Sequence, residues 1–250
     1  HFGRQGLVDL TLTLGDYVMT AFLLNAVDQQ LQPGRTVNLP PRRSLAAAAQ
    51  SPAPAQTVVR PPLLFREEWK QPPYTGTLND ENRRVTHAAV TNSKLRLTLY
   101  GPDADEIGVY THEGRFDLWN GMSTSPIAAT LKDASSYFDL TGLARLRWTI
   151  RTGGLHVIHP VVKLADGTML AGDHFESTNG DYITTEVAFG NIRWFRLDSK
   201  KVVTGPEVKD PDLRRVDEIG WTDLMPGGGH GAAGWVNVSV VELYANAVPR

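Results

Sequence analysis

The 250-residue chain contains no cysteine. That excludes disulfide staples, thiolate metal sites, cysteine nucleophiles and dithiol redox pairs. It leaves the compartment open, because a chain of this length can bury a full core without staples. An excess of positive charge is also lacking: 25 Lys and Arg stand against 27 Asp and Glu, for a net charge of -2. Nucleic-acid binding calls for a basic face or stripe, and the basic pairs Arg42-Arg43, Arg83-Arg84, Lys200-Lys201 and Arg214-Arg215 are scattered. No nucleic-acid partner is expected. Nor is there an unbroken apolar run of membrane length. Residues 10–27 come nearest, but Gly15-Asp16 and Asn25 interrupt them. An ionisable group near a bilayer centre costs roughly 2.5–3.5 kcal/mol on insertion scales, so a membrane span is not expected. No intact signal peptide opens the chain. The tract Ser44-Leu45-Ala46-Ala47-Ala48-Ala49-Gln50 has the composition of a signal-peptide end, but no apolar region precedes it. The first residue is His1 and not Met, which points to an incomplete or processed chain. Localisation is not fixed by these features.

What is present divides into three parts. Leu7, Leu10, Leu14, Val18, Ala21 and Leu24 recur at helical spacing, and Leu12, Met19, Phe22 and Leu23 widen the apolar stripe nearly all round. A helix apolar on most sides needs enclosing elements, so residues 1–34 are expected to form an isolated helix with a helical protein partner. Pro33-Gly34 stops it. Residues 35–62 carry Pro40-Pro41, Ala46 to Ala49, Pro52, Pro54 and Pro61-Pro62, a Pro/Ala-rich tether too poor in large apolar groups to order itself.

From Leu63 the period changes to two. Leu95, Leu97 and Leu99 alternate with Arg96 and Thr98, and Leu146, Trp148 and Ile150 alternate with Arg145, Arg147, Thr149 and Arg151. The run through Val157, Ile158, His159 and Val161 is apolar on both faces, which suits a central strand. Asp166-Gly167, Asn179-Gly180 and Gly227-Gly228-Gly229 punctuate such segments. Many short strands with turn signals predict an all-β sandwich or barrel over residues 63–250.

Two resemblances accompany this pattern. Phe2-Gly3-Arg4-Gln5-Gly6-Leu7-Val8-Asp9-Leu10, with Gly15-Asp16-Tyr17 and Leu24-Asn25-Ala26, resembles the C-terminal helix of carboxymuconolactone decarboxylase (AhpD-like) proteins. The peroxidase-type members use a Cys-x-x-Cys pair, which this chain lacks, so no catalytic role carries over. The phrases 136–144 (SYFDLTGLA), 162–167 (VKLADG) and 216–227 (VDEIGWTDLMPG) resemble an uncharacterised bacterial family sometimes labelled family 16 glycoside hydrolase-like. Their order also resembles galactose-binding-like jelly rolls, the fold of several carbohydrate-binding modules. The resemblance implies a jelly-roll β-sandwich.

Catalytic signatures are thin. The Glu-x-Asp-x-x-Glu strand of laminarinase-type enzymes is missing, as are a Gly-x-Ser-x-Gly elbow and a phosphate loop. Should a glycoside hydrolase or lyase be assembled from separate loops, Glu113, Asp117, Asp173 and His174 are the groups to test. Asp217-Glu218 is expected to alternate, one side chain inward and one outward. His156 and His159, three apart on an extended run, are expected on opposite faces. A metal site across loops would draw on His112, His174 and His230. A structural calcium ion, of the kind many jelly-roll modules hold, remains open, with ligands that sequence does not place.

Six tryptophans remain as the main signal. Trp148 and Trp194 sit in apolar strand patterns and read as core. Trp221 could face either way, and Trp69 lies among charges near the start of the domain. Trp119, in a turn-like Asp117-Leu118-Trp119-Asn120-Gly121, and Trp235, after the glycine loop, either stack on sugar rings or cover the open ends of the sandwich. The expectation is a non-catalytic glycan-binding module. Trp119 and Trp235 would stack, and Asp117, Asn120, Asp223 and His230 would be polar partners. The rivals are an enzyme and an assembly protein that docks through its helix.

Overall fold

The computed structural model describes residues 59–77, 83–178, 180–226 and 234–250. The expected helix, nearly all of the tether, and His230 lie outside them. In chain order the strands are β1 (Leu63–Glu68), β2 (Leu95–Tyr100), β3 (Gly108–His112), β4 (Arg115–Trp119) and β5 (Ile127–Asp133). Then follow β6 (Ser136–Asp139), β7 (Arg145–Gly153), β8 (His159–Leu164), β9 (Met169–Gly172) and β10 (Ile183–Ala188). The last are β11 (Trp194–Asp198), β12 (Val203–Val208), β13 (Val216–Asp223), β14 (Trp235–Tyr244) and β15 (Asn246–Pro249). Among the described residues, helical structure is confined to 3-10 turns at His87–Ala89, Ala104–Glu106 and Phe189–Asn191. No described helix is long and apolar enough to cross a membrane.

The strands form two antiparallel sheets. The first runs β10-β7-β14-β4-β3, with β1 on the far half of β14, and the second runs β12-β11-β9-β8-β13-β5-β2, with β6 and β15 added beside β13. Strands adjacent in the chain cross between the sheets at matching positions: β4 to β5, β7 to β8, β10 to β11, β13 to β14. This is a jelly-roll sandwich; the two-residue rhythm and turn spacing predict the all-β class, and the galactose-binding-like resemblance implies the jelly roll.

Alternation decides what is inside. On β7, Leu146, Trp148 and Ile150 face Leu243, Val241 and Val238 of β14, and all are buried. Leu131, Ile219, Trp221, Val162 and Leu170 complete the core from the second sheet. Trp221 therefore points inward. It meets Trp69 edge-on at 5.9 Å, and the Trp69 indole N–H donates to the Val238 carbonyl at 2.7 Å. Trp69 is core despite its charged sequence neighbours, because strand β1 sends Glu68 outward and Trp69 inward. Glu67, also inward, is tied by hydrogen bonds to Thr91 and to the Asn92 backbone. Burial pushes its carboxyl up, and those bonds pull it back only in part.

Two sequence expectations change. Trp119 ends strand β4, and the turn begins only after it. Asp217 and Glu218 do not alternate. A register shift between Val216 and Glu218 interrupts β13 against β8. Asp217 bonds Lys132 at 2.9 Å while Glu218 bonds Thr130 at 2.5 Å. Lys132 and Thr130 lie two apart on β5 and share a face, so both carboxylates reach the same side, the known effect of a bulge. On that outward side of the second sheet, Ala128, Val161, Met169, Ala171 and Leu197 form a second small core closed by Val202 from the β11–β12 hairpin.

Candidate ligand-binding face

The outward face of the first sheet is built by the positions that alternate with the core. Residues directly opposite in an antiparallel pair share a face. From β7 and β14 come the rows Gly153/Trp235, Arg151/Asn237, Thr149/Val240, Arg147/Glu242 and Arg145/Tyr244. From β3 and β4 come Gly108/Trp119, Tyr110/Asp117 and His112/Arg115. Trp119 is paired with Asn237, so the two candidate indoles stand on one face, on neighbouring strands. Asp117 shares that face.

Both indoles are half-buried, and each lies on a glycine. A Cβ at Gly121 would fall into the Trp119 ring, and one at Gly153 would come within 2.8 Å of the Trp235 ring. The absence of a side chain at these two positions lets the rings lie flat against the strands. Tyr110 packs edge-on against Trp119 at 4.5 Å. Arg151 lies 4.8 Å from the centre of the Trp235 ring and 5.8 Å from that of Tyr182.

Asp117 is fully buried beneath this layer. Its Oδ2 accepts from Tyr182 Oη at 2.5 Å and from Asn237 Nδ2 at 3.3 Å, with His112 Nδ1 at 2.9 Å. Burial pushes the Asp117 carboxyl up, against the Tyr182 and His112 hydrogen bonds. Burial and the Asp117 contact also raise the Tyr182 hydroxyl far above its ordinary value, so it remains a donor. Below this cluster, a groove of about 460 Å³ crosses the face, lined among others by Arg66, Arg115, Phe116, Thr149, Thr184 and Glu242.

Asn120 and Asp223 do not reach this face. They are buried and form a bridge between the sheets: Asp223 Oδ2 accepts from Asn120 Nδ2 at 2.7 Å and contacts His156 Nδ1 at 2.6 Å. Asn120 Oδ1 accepts the Val236 backbone N–H at 2.6 Å, and Asp223 Oδ1 accepts from Met225 N, capping the turn after β13. Asn120 follows Trp119 and grips the residue after Trp235, so this pair positions both indoles. It has no surface left to offer a ligand.

The four groups singled out for catalysis are not brought together. Glu113 sits exposed at the β3–β4 turn and Asp117 on β4, both in the first sheet. Asp173 and His174 follow β9 in the second, where Asp173 pairs with Arg193 at 2.8 Å and His174 with Glu176 at 2.9 Å. His112 and His174 likewise belong to different sheets. Among the described residues no group of three or more His, Asp or Glu side chains is arranged to hold a metal ion.

Sequence reasoning passed over Tyr110, Tyr182, Arg115 and Arg151. The outward alternation of Arg145, Arg147 and Arg151 was the available signal. Tyr182 had none, because it reaches Asp117 from 65 residues away in the chain.

No protein-family model matches the chain, and no curated protein matches it either. Solved structures do. The family 11 carbohydrate-binding module from Clostridium thermocellum, in complex with a beta-1,3-1,4-mixed-linked tetrasaccharide, aligns at TM-score 0.38 with 12% identity, over 64% of this chain and 88% of that one. TmCBM61 in complex with beta-1,4-galactotriose aligns at 0.32 with 14% identity, over 62% and 90%. Arcelin-5, a lectin-like defence protein from Phaseolus vulgaris, aligns at 0.36 with 8% identity, over 63% and 95%. These are distant likenesses between sandwiches.

Proposed function

We propose that the chain carries a non-catalytic glycan-binding module, and that the ligand lies on the outward face of the first sheet. The observation that carries this reading is the placement of Trp119 and Trp235: half-buried, on one open face, each held flat over a glycine and flanked by hydrogen-bonding groups. A sugar ring has an apolar C–H face and a rim of hydroxyls. It is suited by indole faces for the former and by Tyr, Thr, Arg and carboxylate groups for the latter. The nearby groove supplies the polar rim through Thr149, Thr184, Arg66 and Glu242. Asn120 and Asp223 serve as positioning residues under the indoles. A second hollow of about 720 Å³, beside Phe189 and Trp194, suits a sugar less well, because the Trp194 indole is only 2% exposed.

Native affinity gels containing soluble polysaccharides test the reading. The full chain is expected to be retarded by at least one of them and to release no reducing sugar. Trp119→Ala and Trp235→Ala should each weaken retardation about tenfold, equal to about 1.4 kcal/mol. Phe175→Ala, an exposed ring that follows β9 of the second sheet, should leave it unchanged. Retardation that survives both tryptophan substitutions would place the ligand elsewhere.

A further inference from the structure

The ionic groups on the outward face of the first sheet fall into two zones. At the β1 end, Arg66 pairs with Glu68 and Glu242, Arg147 with Glu242 at 3.3 Å, and Arg145 with Glu186 at 3.2 Å. Three arginines and three glutamates neutralise one another there. At the tryptophan end the count differs. Arg115 lies 5.1 Å from the Tyr182 ring centre and Arg151 lies 5.8 Å from the same centre. Neither forms an ion pair with a carboxylate among the described residues. Arg151 spends its Nε on the Gly180 carbonyl, leaving its terminal nitrogens, and the Arg115 side chain donates no hydrogen bond among the described residues. The carboxylate nearest in the cluster, Asp117, is buried, and its Oδ2 is taken up by Tyr182, Asn237 and His112. Glu113 is exposed on the β3–β4 turn and pairs with neither. Arg83 adds a third stacked guanidinium, 4.8 Å from Tyr110, which packs on Trp119.

Guanidinium groups held against aromatic rings have already lost part of their rotamer freedom, and they present planar donor pairs that match the two oxygens of a carboxylate or sulfate. From this geometry we infer, resting on the glycan-binding reading above, that the ligand is an anionic polysaccharide whose acidic groups are received by Arg115 and Arg151. A neutral glycan would leave both guanidinium groups without a charged partner. The chain as a whole is slightly acidic, with net charge -2, so general attraction to a polyanion does not account for such binding.

The full chain is run in native affinity gels containing polygalacturonate (carboxylate), carrageenan (sulfate) or mixed-linkage β-glucan (neutral). Expected is retardation by one or both acidic polymers that is about tenfold stronger than by the neutral one, and that weakens several-fold when salt rises from about 0.05 M to about 0.5 M. The two acidic arms tell a uronate ligand from a sulfated one. Arg115→Gln, at an exposed position, should reduce acidic-gel retardation about fivefold or more with an unchanged melting temperature, and R115Q/R151Q should abolish it. If only the neutral gel retards the chain, or Arg115→Gln leaves acidic retardation intact in a folded protein, the anionic assignment is overturned while glycan binding stands. If no gel retards the chain, both readings fall together.

Discussion

The two outward faces of the sandwich meet solvent in opposite ways. On the second sheet the chain folds back on itself: the β11–β12 hairpin plants Val202 over Ala128, Val161, Met169 and Ala171. Beside it Glu218 is buried, accepting from Thr130, from Tyr100 at 2.6 Å and from Lys163 at 2.9 Å. Burial would lower the Lys163 ammonium, but its bonds to Glu218 and Tyr100 outweigh that and push it up to about 12. On the first sheet a groove of about 460 Å³ crosses the outward face. The Trp119 and Trp235 rings lie half exposed there, and Arg115 and Arg151 form no ion pair with a carboxylate among the described residues. Buried polar groups that satisfy one another stabilise a face and leave little for a ligand. Polar groups held by stacking, with donors unspent, keep their hydrogen bonds for something else. On the reading proposed above, one face is structural and the other meets the ligand, and substitutions should separate the two.

The largest effect is expected on the closed face. Gly220 lies in β13 between β5 and β8, and a Cβ there would fall against the backbone of Ala129 and Thr130, which cannot move aside as a flexible side chain could. Gly220→Ala should destabilise by about 4 kcal/mol or more, or prevent folding; a denaturation midpoint near the parent's would mean that the sheet yields far more than its packing implies. Next comes the bridge between the sheets. Asp223→Ala strands the buried Asn120 and His156 donors and should cost about 2–4 kcal/mol in urea unfolding. Because Asn120 also grips Val236, glycan retardation should fall with it. Loss of stability with unaltered retardation would separate the bridge from the indoles.

Much of the scaffold was legible because alternation is local. Leu146-Arg147-Trp148-Thr149-Ile150-Arg151 declares both its faces without any knowledge of its partners. Trp119 and Trp235 were identifiable by the company they keep, although the strand carrying Trp119 was not, since a short β4 next to Asn120-Gly121 resembles a turn. The bulge at Val216–Glu218 carries no mark in composition, so Asp217 and Glu218 looked as if they must alternate. Long-range partnerships were beyond sequence altogether. Asp223 is 67 residues from His156 and 103 from Asn120, and nothing short of the crossing of the sheets brings them together. The same holds for Tyr182 over Asp117, which turns a carboxylate that reads as a ligand contact into a buried anchor.

The smallest expected effect is also the sharpest separator of the two faces, because its sign differs between them. At Asp217, on the closed side, burial alone would raise the carboxyl, but hydrogen bonds from Lys132 and Arg250 outweigh it and hold the group below its ordinary 3.8. A folded-state value lowered in this way contributes stability that is present above pH 4 and lost as pH falls through the folded value. At Asp117, on the open side, burial wins and the carboxyl is raised above 3.8. The folded state then holds its proton more tightly than the unfolded chain, so the favourable contribution is present at low pH and lost as pH rises through the folded value. Urea midpoints measured from about pH 3 to pH 7 should therefore respond in opposite directions. Asp217→Asn should make the acid-side decline shallower, and Asp117→Asn, which keeps an oxygen for the Tyr182 hydroxyl, should make it steeper. Each change should be about 1 kcal/mol or less across the range. Slopes that shift the same way in both variants would mean that the two carboxylates sit in equivalent surroundings, and the division into a self-satisfied face and an open one would lose its electrostatic basis.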